Sequence, residues 1–186
     1  MTWIKAARHG SPYPVDMSYA GEILGALAHT PDREMESLSL TELTDHIVAL
    51  HHRYLREALP ALEHYCQASQ PELSQRFATF RAQLSRLLSR DEEILFPRLA
   101  RLEEPGFAPN PARLAKILAW LSADHARLCA RLRSLRARLR GAESPELRRL
   151  RRGLADLAED LNARMLLQEQ VLFPRAVSCA RQVCGL

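Results

Sequence analysis

No stretch of the 186 residues approaches the roughly 20 consecutive apolar side chains that a membrane span requires. Behind Lys5 and Arg8 there is also no apolar core of the kind that a secretion signal carries. A cytoplasmic protein with no membrane partner is therefore expected. Glycine is scarce, at 7 residues, and aromatic residues make up only 6%. Outside Ile47, Val48, Ile94, Ile117 and Val171 there are few β-branched residues, while Leu, Ala, Arg and Glu dominate. That imbalance excludes a sheet-rich fold and indicates helices. No phosphate-binding loop, no Ser or Cys set beside a base and no glycine-rich turn after a strand is present, so nothing points to a hydrolase or a transferase.

The 4 cysteines form no CxxC pair. Cys66 and Cys129 fall on or beside helical seams and read as small core residues in a reducing compartment. Cys179 and Cys184, near the C-terminus, are either a disulfide or adventitious. The net charge of +4 comes mainly from arginine, with ten arginines between Arg127 and Arg152. Most of those on the third helix stand between leucines, as on the solvated face of a bundle helix, and no aromatic residues are interleaved to stack on bases, so no nucleic-acid partner is expected.

An apolar fraction of 47% in a chain of this length is enough for one domain with its own core. Residues 1–38, with three prolines by Pro31, read as an N-terminal arm with at most one short helix, near Glu22 to His29, and with His9 and His29 exposed. Residues 39–180 form the domain, and 181–186 a tail. Ser39 with Glu42 is a capping box opening a first helix, from about Leu40 to Ala68, with a kink expected at Pro60. Pro71 opens a second helix, which carries through Phe96 with a bend at Pro97. Asn110 and Pro111 open a third, closing near Gly141, and Ser144 and Pro145 a fourth. Four helices of similar length with short connections predict an all-α, up-down-up-down antiparallel four-helix bundle with a short N-terminal arm.

Each seam contains polar intruders. On the third helix Leu114, Leu118, Leu121, His125, Leu128, Leu132, Leu135 and Leu139 alternate spacings of four and three, and a histidine stands where leucine belongs. On the first helix His52 interrupts Val48, Leu55, Leu59, Leu62 and Cys66. Asp91 interrupts the second, between Leu87 and Ile94. Arg164 and Gln168 interrupt the fourth, between Leu161 and Val171. At ~1.5 Å per residue these five positions fall at one level of the bundle. The segment Glu92 to Arg98 echoes Glu169 to Arg175 with Leu-Phe-Pro in both, and His52 echoes His125, so the domain reads as a duplicated helix pair with its polar layer on a pseudo-twofold axis. His46, His51 and His64 fall beside or away from this layer and are expected at the surface or behind it. Glu92, Glu93 and Glu169 are expected to face solvent and pair with arginines.

The run Asp45-His46-Ile47-Val48 with His52, Arg56-Glu57 and Leu59-Pro60-Ala61-Leu62, both Leu-Phe-Pro segments and the Asp124-His125 helix together resemble the hemerythrin-like, or HHE cation-binding, domain. The likeness spans roughly residues 39–177 and is strongest to the di-iron proteins that repair iron-sulfur clusters after nitric oxide or oxidative damage. The resemblance implies one ligand histidine per helix and a bridging glutamate four residues after the histidine on the second and fourth helices. Carried over, the histidine positions are His52, Leu87, His125 and Arg164, and the carboxylate positions are Asp91 and Gln168. Two imidazoles and one aspartate with a guanidinium among them make a di-iron centre an unexpected occupant. Arg164 is expected to pair with Asp91, and Gln168 to hydrogen-bond His52 or His125.

Three readings follow from this layer. The first is a hemerythrin-like domain with no cofactor that acts as a non-catalytic binding or regulatory module, monomeric or homodimeric, with a protein partner in nitric oxide or oxidative stress or in iron homeostasis. The second is a single iron held by His52, His125 and Asp91, helped by Glu92, Glu93 or Glu169 after a helix shift, with dioxygen or nitric oxide as its ligand. The third is a haem clamped between His52 and His125.

Overall fold

The computed structural model describes residues 35, 37–139 and 144–185. The expected short helix near Glu22 to His29, the histidines His9 and His29, and Gly141 lie outside the described residues. Within them the chain is helical, with no strand, and four long rods pack in an arrangement consistent with a helical bundle.

The first rod is α1 (Leu40–Ile47), a π-helical turn (Val48–His52) and α2 (Arg53–Gln67). The second is α3 (Pro71–Arg90), a π turn (Asp91–Leu95) and α4 (Phe96–Ala100), ending in a 3₁₀ turn (Arg101–Glu103). The third is the single helix α5 (Pro111–Ala137). The fourth is α6 (Pro145–Leu167), a π turn (Gln168–Leu172) and α7 (Phe173–Val183). The first and third rods each pack against the second and the fourth.

The helix starts obey the local signals. Ser39 accepts from the Glu42 amide at 3.0 Å while the Glu42 carboxylate accepts from the Ser39 amide at 2.8 Å, completing a capping box. Asn110 and Ser144 accept from the amides of Arg113 (2.9 Å) and Leu147 (3.2 Å), and Pro71, Pro111 and Pro145 each take a first-turn position. Glu103, at the far end of the second rod, accepts from the Leu40 amide at 2.6 Å, placing a carboxylate on the positive end of α1.

Three π turns are the irregularities that residue spacing does not show. α2 runs through Pro60 without interruption, and the π turn of its rod lies earlier, at Val48–His52. Pro97 and Pro174 each follow a π turn by two residues, where the missing amide hydrogen makes ordinary α-helical bonding impossible. A π turn adds one residue to the repeat and rotates everything after it. The spacing from Asp91 puts Ile94 in the seam, yet Ile94 is 47% exposed and Leu95 is buried in its place.

The apolar core is divided in two. One cluster takes residues from α2, the length of α3, the later part of α5 and the first part of α6. The other takes α1, α4, the early part of α5 and α7. Between them lie His51, His52, Asp91, His125, Asp160, Arg164 and Gln168, all buried. The four cysteines are free: Cys66 and Cys129 are buried as expected, and Cys179 and Cys184 are not joined to each other. Among the described residues no helix is long and apolar enough to cross a membrane.

Candidate metal centre

Arg164 is the largest fully buried side chain in the described structure. Its seam position on α6 sends the guanidinium inward, where one nitrogen serves two partners. Nη1 donates to Asp91 Oδ2 at 3.0 Å, the pairing expected from the sequence, and lies 3.2 Å from His52 Nε2. Burial pulls the guanidinium below its usual range and Asp91 pushes it back up. For Asp91 the signs reverse: burial raises the carboxyl and Arg164 opposes the rise. Gln168 does not bond a histidine as expected; its Nε2 donates to Asp91 Oδ2 at 3.2 Å. The amide and the guanidinium thus converge on one oxygen of the Asp91 carboxylate.

His52 closes the first π turn and sits between two opposite partners. Its Nδ1 is 2.6 Å from Glu92 Oε1, and Glu92 Oε2 accepts from Arg56 at 2.8 Å. This is the Nδ1–H tautomer, donating to Glu92 and offering the Nε2 lone pair to Arg164. Glu92 therefore does not simply face solvent: the π turn swings it in over the imidazole. Burial, with Arg164 alongside, pulls His52 down to about 4. The imidazole is neutral near pH 7.

His125 occupies the related place on α5. Its ring stacks near Phe173 at 6.4 Å, as the ring of His52 does near Phe96 at 5.6 Å. Glu169, the repeat counterpart of Glu92, stands 3.8 Å from His125 Nδ1 and is partly exposed. The duplicated triplets are thus His52, Glu92, Phe96 and His125, Glu169, Phe173. They are not equally closed, because neither ring nitrogen of His125 has a hydrogen-bond partner among the described residues. Burial, followed by Arg164, takes His125 down to about 3. Leu87, at the histidine position of the second rod, is buried in the apolar cluster beside the layer, and Glu93 is exposed as expected.

A second buried pair escaped sequence reading. His51 is 1% exposed, and its Nδ1 lies 2.7 Å from Asp160 Oδ1. The two adjacent histidines of the π turn both point inward, His51 to Asp160 and His52 to Glu92 and Arg164. Asp160 was legible only in that it stands one turn before Arg164. His64 is exposed and His46 half-buried.

Among the described residues no group of three or more His, Cys, Asp or Glu side chains is placed to hold a metal ion. A haem clamped by both histidines would have to displace Arg164 from His52 Nε2. A family model described as Hemerythrin HHE cation binding domain matches residues 43–176. No curated protein matches the chain.

Proposed function

The chain belongs to the hemerythrin HHE cation-binding domain family, and from that premise we propose that its cation is built in: the Arg164 guanidinium takes the central place of a metal, and the domain acts by binding rather than by redox chemistry. One observation carries this reading. A single nitrogen of a fully buried arginine engages both the carboxylate and the histidine lone pair that a metal would need.

The residues present do not fit a di-iron centre. Such a centre needs bridging carboxylates and several neutral nitrogen donors. Here Leu87, Arg164 and Gln168 contribute none of these, Asp91 is already paired, and His52 has its Nε2 occupied. A permanent positive charge beside the donors repels a second cation at short range. Arg164 and Asp91 form a neutral pair, so the layer needs no added charge to be stable in the interior.

The bundle is read as up-down-up-down, supported by the way each apolar cluster takes the leading parts of alternate rods and the trailing parts of the others. The sequence likeness to the di-iron repair proteins supports a cytoplasmic binding or regulatory role in nitric oxide or oxidative stress or in iron homeostasis. A second reading has one observation in its favour: the free ring nitrogens of His125 would suit a single iron shared with Asp91 and His52, once Arg164 moved away. Elemental analysis and an absorption spectrum of protein purified from iron-replete cells separate these. No stoichiometric iron is expected; about two irons per chain would overturn the proposal, about one would support the second reading, and an intense Soret band would establish haem.

A further inference from the structure

Charge is distributed unevenly along the bundle. Residues 53–90 and 127–160, whose described part builds one apolar cluster and the surface over it, contain in sequence sixteen arginines against eight acidic residues. The remainder holds ten basic residues against fourteen acidic ones. Arg131, Arg133, Arg136, Arg149, Arg151 and Arg152 are exposed, and none makes a hydrogen bond or an ion pair among the described residues. Like charges held this close repel one another, and the repulsion is relieved only when anions come to the surface.

A groove of 360 Å³ opens into this surface between α3 and α5. Its floor is the buried Phe80 and Leu135, its rims carry Arg76 and Arg131, and Thr79 and Ser134 place hydroxyls along it. Glu72 closes one end, accepting from Arg76 at 2.9 Å and pairing with Arg138 at 3.2 Å. Arg131 has no such partner and is the free cation of the groove among the described residues. We propose that this end of the bundle docks an acidic segment of a partner protein, seating an apolar side chain over Phe80 and Leu135 while the carboxylates beside it pair with Arg131 and the neighbouring arginines.

The chemistry of the surface selects that occupant. All sixteen cations are arginine, whose planar fork matches a carboxylate with two parallel hydrogen bonds. The two stretches hold no exposed aromatic residue on which nucleic-acid bases could stack. A lipid surface would need apolar anchors, but the exposed large hydrophobics Ile94, Trp120, Leu166 and Val183 all lie outside these stretches. A second copy offering its acidic part would add head to tail, giving a ring or a filament, and self-association is the outcome that sedimentation reads.

The inference rests on the reading of the domain as a binding module and is tested by a measurement independent of metal. Fluorescence anisotropy of a labelled peptide alternating glutamate and leucine is titrated with the full chain. Saturable binding that weakens as salt is raised is expected. Arg131→Glu and the groove-filling Ser134→Trp should each weaken it by about tenfold or more, while Arg181→Glu, elsewhere on the surface, leaves it unchanged; circular dichroism confirms that each variant is folded. The proposal is overturned if the peptide does not bind, or if both groove variants bind like the parent. It also falls if duplex DNA or anionic vesicles compete more strongly than the peptide, or if sedimentation shows self-association that Arg131→Glu abolishes. Iron in the same preparations alongside intact peptide binding would sink the metal-free reading and leave the docking surface standing.

Discussion

Arg164 Nη1 stands 3.0 Å from Asp91 Oδ2 with both side chains shut off from solvent, on rods whose positions are 73 residues apart in the chain. Neither charge could be kept there alone. Arg164→Met should therefore destabilise the fold by about 3–5 kcal/mol, because it strands a buried carboxylate. Removing both charges in Arg164→Met with Asp91→Leu should recover most of that loss. Chemical denaturation of the four proteins in a double-mutant cycle measures the coupling, and equal losses in the single and the double variant would refute it.

Replacing the layer's residues by the ligands that the family resemblance implies should restore metal binding. A chain carrying Leu87→His, Asp91→Glu, Arg164→His and Gln168→Glu is expected to take up iron and to show charge-transfer absorption that the parent lacks. Reverting the Arg164→His change alone, leaving the guanidinium in place, should cut iron uptake sharply, as measured by elemental analysis.

The two central histidines make stability depend on pH in a defined direction. Both are depressed in the folded state, His52 to about 4 and His125 to about 3, whereas an unfolded histidine titrates near 6.5. Between those limits the unfolded chain binds more protons, so their contribution is complete above about pH 6.5 and is lost as pH falls, at up to about 1.4 kcal/mol per pH unit for each. The raised carboxyl of Asp91 works the other way and moderates the fall. Denaturation from pH 7.5 down to about 4.5 should show this slope. His125→Leu should flatten it; a profile unchanged by that substitution would contradict the account.

Ile94 and Leu95 test the π turn directly. Because Ile94 is 47% exposed and Leu95 is buried, Ile94→Ala should change stability by no more than about 0.5 kcal/mol and Leu95→Ala should cost about 2–5 kcal/mol. A regular helix through Asp91 predicts the reverse order.

Asp160→Ala should cost about 1–3 kcal/mol, since it leaves the buried His51 without its acceptor. Asp160→Asn retains an oxygen to accept that proton and should lose less. Thermal melts of both, with the exposed Glu159→Ala as control, decide whether the pair matters to the fold.

These comparisons show what the sequence makes legible. The seam of α5, from Leu118 to Leu135 with His125 inside it, follows from spacing alone because no irregularity interrupts that rod. The caps at Ser39, Asn110 and Ser144 are read from residue type, because they bond to amides only a turn away. The central layer is legible since polar residues in leucine positions have nowhere else to go. What escaped are consequences of the three π turns. They leave no periodic trace, yet they bury Leu95 instead of Ile94, turn Glu92 onto His52, and bring His51 to Asp160. Gln168 was placed at the right level but with the wrong partner, because level fixes which groups can meet and not which hydrogen bond wins.

The division of the core into two apolar clusters with a polar storey between them gives the bundle a replaceable cartridge. Each cluster packs from its own leucines, and changes well separated in space act almost independently. The contents of the storey can then be exchanged, guanidinium for ion or one donor for another, while the floors above and below keep the rods in register.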